Sequence, residues 1–220
     1  MKFLQKATMN LLAMGALFLA TASVSHALPY TYTYASAVRW DNGSGATPSS
    51  TPGSRYNQSS ALGSPDAGAS TNFLSLGLGG LAVFDFGTEF DAAAIVFETT
   101  GGVRSNYPEY AKVYVADSSF NFAGLNSDNG AATISTVGFD FVAQISNAIA
   151  ITELDLSSLT GPFRYVLIQD VTPGGGPSTE GFDVDAVGVA PVPEPGTMML
   201  LGLGMAGLAI YGKRRKNNRA

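Results

Sequence analysis

Four carboxylates in this sequence have the types and spacing of a cation site. Asp183 and Asp185 are two residues apart in a strand-like segment, where alternate side chains point to the same face. Two carboxylates on one face repel each other unless a cation or a basic group joins them. Asp66, in a Pro-Asp turn, and Glu98, at the end of an apolar strand, would add oxygen ligands of the kind that calcium binds. The four residues predict a calcium site, and an acidic face that is solvated or paired with arginine is the alternative.

Three aromatic residues, Trp40, Tyr56 and Tyr107, lie in or near predicted loops. Binding residues are disproportionately found on loops that a rigid scaffold positions, and exposed rings suit stacking on sugars. We therefore predict that these three side chains bind a glycan. Packing in the core or against a loop is the alternative for each of them.

The same four carboxylates could instead act as a glycosidase pair, and Glu98 and Glu109 are candidates for such a pair too. Nothing in the sequence fixes their separation, and the chain is small for a glycosidase. We therefore predict that the protein is not an enzyme.

The N-terminus has the pattern of a secretory signal peptide. Lys2 and Lys6 precede an apolar run, and the small residues of Ser25-His26-Ala27 predict cleavage between Ala27 and Leu28. The chain has no cysteine, and its single histidine, His26, would leave with this peptide. The mature chain would then lack both residue types, which excludes Ser-His-Asp and Cys-His catalysis and zinc sites built on these ligands.

The C-terminus has three parts in a fixed order. Val192-Pro193-Glu194-Pro195 comes first, an apolar run from Gly196 to Gly212 follows, and Lys213-Arg214-Arg215-Lys216 comes last. The run has 17 residues, which is just enough to span a bilayer as a helix. The basic cluster would stay in the cytoplasm, so the rest of the chain would lie outside the inner membrane. An ordinary single-pass anchor is the alternative reading of this tail.

This tail resembles the PEP-CTERM signal of proteins that exopolysaccharide-making Gram-negative bacteria send to their surface. The motif that carries the resemblance is Val192, Pro193, Glu194 and Pro195. The resemblance implies an exosortase as partner, which cuts near this motif. It also implies a transient hold on the inner membrane, followed by the cell surface or the extracellular matrix.

The mature part of the chain is strongly acidic. All 17 acidic residues but only five of the 12 basic residues lie between Leu28 and Pro195, which gives a net charge of about −12. This balance argues against nucleic acid and against anionic lipid as partners.

The mature part is also rich in short strand-like runs separated by turn residues, and no helical period lasts 12 residues. The predicted strands are 30–34, 73–76, 81–86, 93–98, 111–116, 139–144, 163–168 and 182–189, with 149–159 ambiguous. Residues 41–71 are predicted as a long loop and Gly77–Gly80 as a hairpin turn. The fold class is therefore all-β, with a single jelly-roll-like β-sandwich. We predict a signal peptide over 1–27, the sandwich over 28–190 and the sorting signal, with its short transmembrane helix, over 191–220.

The order of three groups of segments carries a second resemblance. They are 61–66 with 73–86, then 96–98 with 107–115, and last 164–170 with 181–187. This order is similar to bacterial surface domains related to the discoidin and galactose-binding-like jelly rolls. That family often carries a structural calcium, which the resemblance implies here too.

Together these observations predict a non-enzymatic exported protein that associates with extracellular polysaccharide, such as a biofilm matrix. Two alternatives remain open, a structural or adhesive surface protein without glycan specificity and a glycan-processing enzyme that uses carboxylates.

Overall fold

The computed structural model describes residues 31–51, 54–66, 72–99, 106–176, 178–192 and 200–206. These residues contain nine β-strands, which are β1 (Thr33–Tyr34), β2 (Ala37–Asp41), β3 (Leu74–Ser75), β4 (Leu81–Glu98), β5 (Tyr110–Ala116), β6 (Asp140–Ser146), β7 (Ile151–Asp155), β8 (Phe163–Asp170) and β9 (Asp183–Pro191). Two short 3₁₀ helices, Gln58–Ala61 and Phe122–Gly124, lie in the connections, and residues 200–206 are helical. The predicted all-β class is confirmed.

The longest strand, β4, joins the two layers of the fold. Leu81–Asp85 pairs with β2 on one side and with β8 on the other, while residues 93–98 pair with β7 and β9. The pairing is irregular between Asp85 and Phe90, where Gly87 has a φ of 68°. The sequence predicts two strands here, but a glycine in this conformation bends one strand without ending it.

The first layer contains β2, the first part of β4, β8, β5 and β6, and the second contains β1, β3, β9, the last part of β4 and β7. Alternate residues of each strand face the space between the layers, where they form the main core. Its largest fully buried members are Trp40, Phe84, Phe90, Phe163 and Phe182. The predicted single jelly-roll-like β-sandwich is confirmed.

A second apolar cluster lies on the outer face of the first layer. Val83, Tyr165 and Leu167 point away from the main core and pack against Phe122 and Ile134, which belong to the connection between β5 and β6. This connection therefore covers part of the outer face, and the middle of β8, residues 165–168, is buried on both sides.

Two local predictions need correction. Gly77–Gly80 is not a hairpin turn, because the strands on either side of it, β3 and β4, do not pair with each other. This segment instead contacts more distant parts of the chain. Gly77 N–H donates to Glu180 O at 2.7 Å, and Leu78 forms a bridge with Ser44. The ambiguous stretch 149–159 contains β7, and a turn follows it.

Both predicted targeting signals lie mostly outside the described residues. This holds for the cleavage position between Ala27 and Leu28 and for Pro193, Glu194 and Pro195. In the part of the chain that the structure describes, no helix is long and apolar enough to cross a membrane. The predicted span from Gly196 to Gly212 extends past the helical residues 200–206 at both ends and stays a prediction.

Candidate functional site

The structure places the four predicted calcium ligands in two pairs. The backbone N–H of Asp66 donates a hydrogen bond to Asp185 Oδ1 at 3.3 Å. Asp66 is exposed and Asp185 is half-buried. Asp183 and Glu98 are buried, with 3% and 5% of their surface exposed, and they interact electrostatically. No group of three or more His, Cys, Asp or Glu side chains among the described residues is arranged to hold a metal ion. Calcium binding stays a prediction.

A β-bulge explains why the spacing of Asp183 and Asp185 does not produce one site. Phe97 lies opposite Ala186 in the β4–β9 ladder, whereas Glu98 lies opposite Val184. Asp185 is therefore the extra residue on β9. The rule that alternate side chains share a face assumes a regular ladder, and a bulge interrupts it.

Asp183 is a buried member of a polar network around Arg55, whose side chain is 37% exposed. Arg55 Nη2 forms a salt bridge with Glu180 and lies 3.8 Å from Asp183 Oδ2 and 3.3 Å from Ser75 Oγ. Ser75 Oγ–H also donates to Asp183 Oδ1. Burial, together with the negative charge of Glu109, raises the pKa of Asp183 well above its usual range.

Glu109 is a second buried acid beside this network. Ser178 Oγ–H donates to its Oε1 at 2.7 Å, and Asn147 Nδ2–H donates to its Oε2 at 3.3 Å. Burial raises the pKa of Glu109 to about 7, and the negative charges of Glu98 and Asp170 add to this effect. The side chain is only 5% exposed.

Asp170, at the end of β8, fixes three connections of the fold. Its carboxylate accepts hydrogen bonds from the backbone N–H groups of Gly79 at 2.8 Å and Phe182 at 2.9 Å, and from Thr172 Oγ1–H at 2.6 Å. Burial raises its pKa, although these hydrogen bonds act against the rise. Sequence reasoning missed this residue, because Gly79 and Phe182 come from other segments of the chain and only the fold brings them to it.

The candidate glycosidase pair lies in this interior. Glu98 and Glu109 are each 5% exposed, so a polymeric substrate does not reach their carboxylates in this structure. An elevated pKa suits a general acid, but that role also requires contact with the substrate.

The predicted aromatic glycan site is only partly at the surface. Trp40 is fully buried, and its Nε1–H donates to Leu76 O at 3.1 Å. The prediction for Trp40 is therefore wrong, because this residue lies within β2 and faces the core rather than a loop. Tyr56 is half-buried beneath the Arg55 guanidinium, 5.6 Å from its ring centre. Tyr107 is 44% exposed, and its role as a sugar contact stays a prediction.

A different aromatic surface lies on the outer face of the first layer, at its β5–β6 edge. We call it the outer-face strip, which consists of Lys112, Tyr114, Phe141, Gln144 and Gln169. The pairing aligns Lys112 with both glutamines and Tyr114 with Phe141, so all five side chains share one face. Phe141 is 51% exposed, and its ring centre lies 5.5 Å from that of Tyr114.

The strip combines an apolar ring with hydrogen-bonding groups. Tyr114 Oη–H donates to Gln169 Oε1 at 3.1 Å, which fixes both side chains. Lys112 forms no ion pair with any described carboxylate, unlike Arg55 and Arg164. The sequence signal for the strip was the clean alternation of β5, but the partners on β6 and β8 required the register.

The C-terminal segment matches a known family. Residues 191–216 match the PEP-CTERM protein-sorting motif. The predicted sorting signal is confirmed, and it implies export, transient membrane anchoring and processing by an exosortase.

Solved structures similar to this chain are named as carbohydrate-binding modules and a lectin domain. One is chitosan-binding module 1 from a chitosanase/glucanase of Paenibacillus sp. IK-5, with 12% identity, 71% of this chain and 96% of that chain covered, and a TM-score of 0.43. Another is CpGH89CBM32-4 from Clostridium perfringens in complex with GlcNAc-α-1,4-galactose, with 12% identity, 75% and 98% coverage and a TM-score of 0.41.

A third is the lectin domain of lectinolysin complexed with Lewis B antigen, with 11% identity, 71% and 93% coverage and a TM-score of 0.41. At such low identity these similarities say nothing about what this chain binds. No curated protein sequence matches the chain.

Proposed function

We propose that this chain is an exported surface or matrix protein whose sandwich binds extracellular polysaccharide after an exosortase has processed its tail. The sorting motif at residues 191–216 is the observation that supports delivery to the cell surface.

The outer-face strip supports the polysaccharide part of the proposal. The exposed ring of Phe141 offers an apolar surface to the C–H face of a pyranose. The amides of Gln144 and Gln169 both donate and accept hydrogen bonds, which suits sugar hydroxyl groups. Lys112 adds one cation for a carboxylate or a hydroxyl group. Polar groups placed beside an apolar surface fix the orientation of a ligand and give specificity.

The geometry also favours an extended ligand over a small one. The strip lies on a sheet face rather than in an enclosed cavity, and its residues come from β5, β6 and β8, which run side by side. Neighbouring strands are about 4.8 Å apart, so three strands offer a surface about 10 Å wide. A sugar chain lying across the strands would contact the ring and both amides together.

The test is a binding assay between the processed protein and polysaccharide from the producing cells, with a glycan array beside it. Phe141→Ala should weaken binding about tenfold, which corresponds to about 1.4 kcal/mol for the lost ring contact. Adding Lys112→Ala to the Phe141→Ala variant should weaken binding further. The matched control is Ile151→Ala, which removes an exposed apolar side chain from β7 and should leave binding unchanged.

Two outcomes would contradict the proposal. Equal binding by Phe141→Ala and the unmodified protein would remove the strip as the binding site, and Tyr107→Ala would then test the other exposed ring. No binding to any glycan would favour a structural or adhesive protein without glycan specificity. Release of sugar products that is lost in Glu98→Gln would instead favour the enzyme.

A further inference from the structure

The sandwich and the sorting motif are joined without a linker. Strand β9 stays paired up to Pro191, which lies opposite Phe90 of β4. Val192 N–H then donates to Glu89 O at 3.1 Å. The fold therefore holds the chain through residue 192, and the motif's first proline, Pro193, is the next residue.

A surface pocket lies at this exit point. Its volume is about 460 Å³, and we call its lining the junction face. The residues that line it are Glu89, Asp91, Ser157, Leu159, Gly161, Pro162 and Val192. Because Val192 is part of the lining, the pocket lies where the tail leaves the sandwich.

The short tether keeps the junction face near the membrane before processing. The predicted apolar run begins at Gly196, four residues after Val192. Four residues of fully extended chain span at most about 14 Å. The headgroup region of each leaflet is roughly 5–8 Å thick. The junction face therefore meets either lipid headgroups or the membrane enzyme that acts on the motif.

The charge of the face decides between these two occupants. Glu89 and Asp91 are exposed, and no Lys or Arg lines the pocket. Carboxylates are repelled by anionic headgroups, so the face does not fit a bacterial lipid surface. They fit a protein surface that carries basic or hydrogen-bond-donating groups. We propose that the junction face docks on the outward surface of the exosortase while the tail is processed.

This inference rests on the proposed processing by an exosortase and adds a docking surface to it. Because the tether is short, the enzyme cannot reach the motif without approaching the junction face, so the two surfaces must be compatible. Reversing the charge of the face should slow processing, and a longer tether should remove the effect. The substitutions leave the Val192 to Glu89 hydrogen bond in place, because that bond uses the backbone oxygen of Glu89.

The experiment follows processing of the full chain by pulse-chase in cells that contain the exosortase. Glu89→Lys with Asp91→Lys should slow the appearance of the shorter product at least fivefold. The matched control, Asp128→Lys with Asp140→Lys, reverses two exposed carboxylates on other segments and should process normally. A third pair of variants carries ten Gly and Ser residues between Val192 and Pro193. With this insertion, the chain with Glu89→Lys and Asp91→Lys should be processed as fast as the chain that carries the insertion alone.

The outcomes separate this inference from the proposed function. If the junction variant matches the control variant, the junction face does not dock and the inference is refuted. If the junction variant stays slow with the insertion, the slowing does not come from the forced approach, which also refutes it. If the unmodified chain is not processed, or is processed equally in cells without exosortase, the sorting proposal itself fails.

Discussion

The proton on Glu109 gives the protein a stability that depends on pH. This side chain lies in the interior, where Ser178 and Asn147 donate hydrogen bonds to it. Burial and the nearby charges of Glu98 and Asp170 raise its pKa from 4.5 to about 7. The folded protein therefore binds the proton more tightly than the unfolded chain does.

The sign and size of the effect follow from this difference. The stabilisation is fully present below pH 4.5 and is lost as the pH rises through about 7. The full difference corresponds to roughly 3 kcal/mol. The surroundings of Glu109 relax around its charged form, so we expect the free energy of unfolding to fall by about 1–2 kcal/mol over this range from Glu109.

Glu109→Gln tests this reasoning because it keeps the shape and removes the titration. At pH 4.5 the variant should match the unmodified protein, and at pH 8 it should be more stable by about 1–2 kcal/mol. Urea unfolding can be followed by the fluorescence of Trp40, which is the only tryptophan of the chain and is fully buried. Glu153→Gln, on an exposed position of β7, is the matched control and should not change the pH profile. Parallel pH profiles for Glu109→Gln and the unmodified protein would refute the argument.

Two further predictions concern stability. Arg164 donates two hydrogen bonds to Asp85, at 3.0 and 3.1 Å, so Arg164→Gln should lower the free energy of unfolding by about 1 kcal/mol at pH 7. Burial acts to raise the pKa of Asp85, but the hydrogen bonds from Arg164 and Gly87 lower it overall, so the difference should shrink as the pH falls below 3.8. If Arg164→Gln lowers the free energy of unfolding as much in strong acid as at pH 7, the loss does not come from the ion pair with Asp85. Gly77→Ala would place a Cβ 2.6 Å from backbone atoms of Gly43 and should lower the free energy of unfolding by about 3 kcal/mol or more. Gly79 has the same φ of 80° but open space around it, so Gly79→Ala should lower the free energy of unfolding by only about 1 kcal/mol. Thermal unfolding compares the two alanine variants, and equal costs would refute the close approach.

The sequence alone determined the features that depend on local order and composition. The sorting motif was readable because its three parts follow one another along the chain. The absence of cysteine and the single histidine excluded whole classes of chemistry by composition. The all-β class followed from short alternating runs, because the period of a strand is a local property.

Tertiary structure decided which residues meet and which reach the surface. The exposure of Trp40 and Phe141 could not be read from the sequence, because the burial of an aromatic ring depends on what packs over its strand. The spacing of Asp183 and Asp185 predicted one site, but a single extra residue in a ladder with β4 separated them. Pairing register and bulges are set by distant strands and by the packing of the core, so the sequence could name the acids and aromatics but only the fold could assign their neighbours.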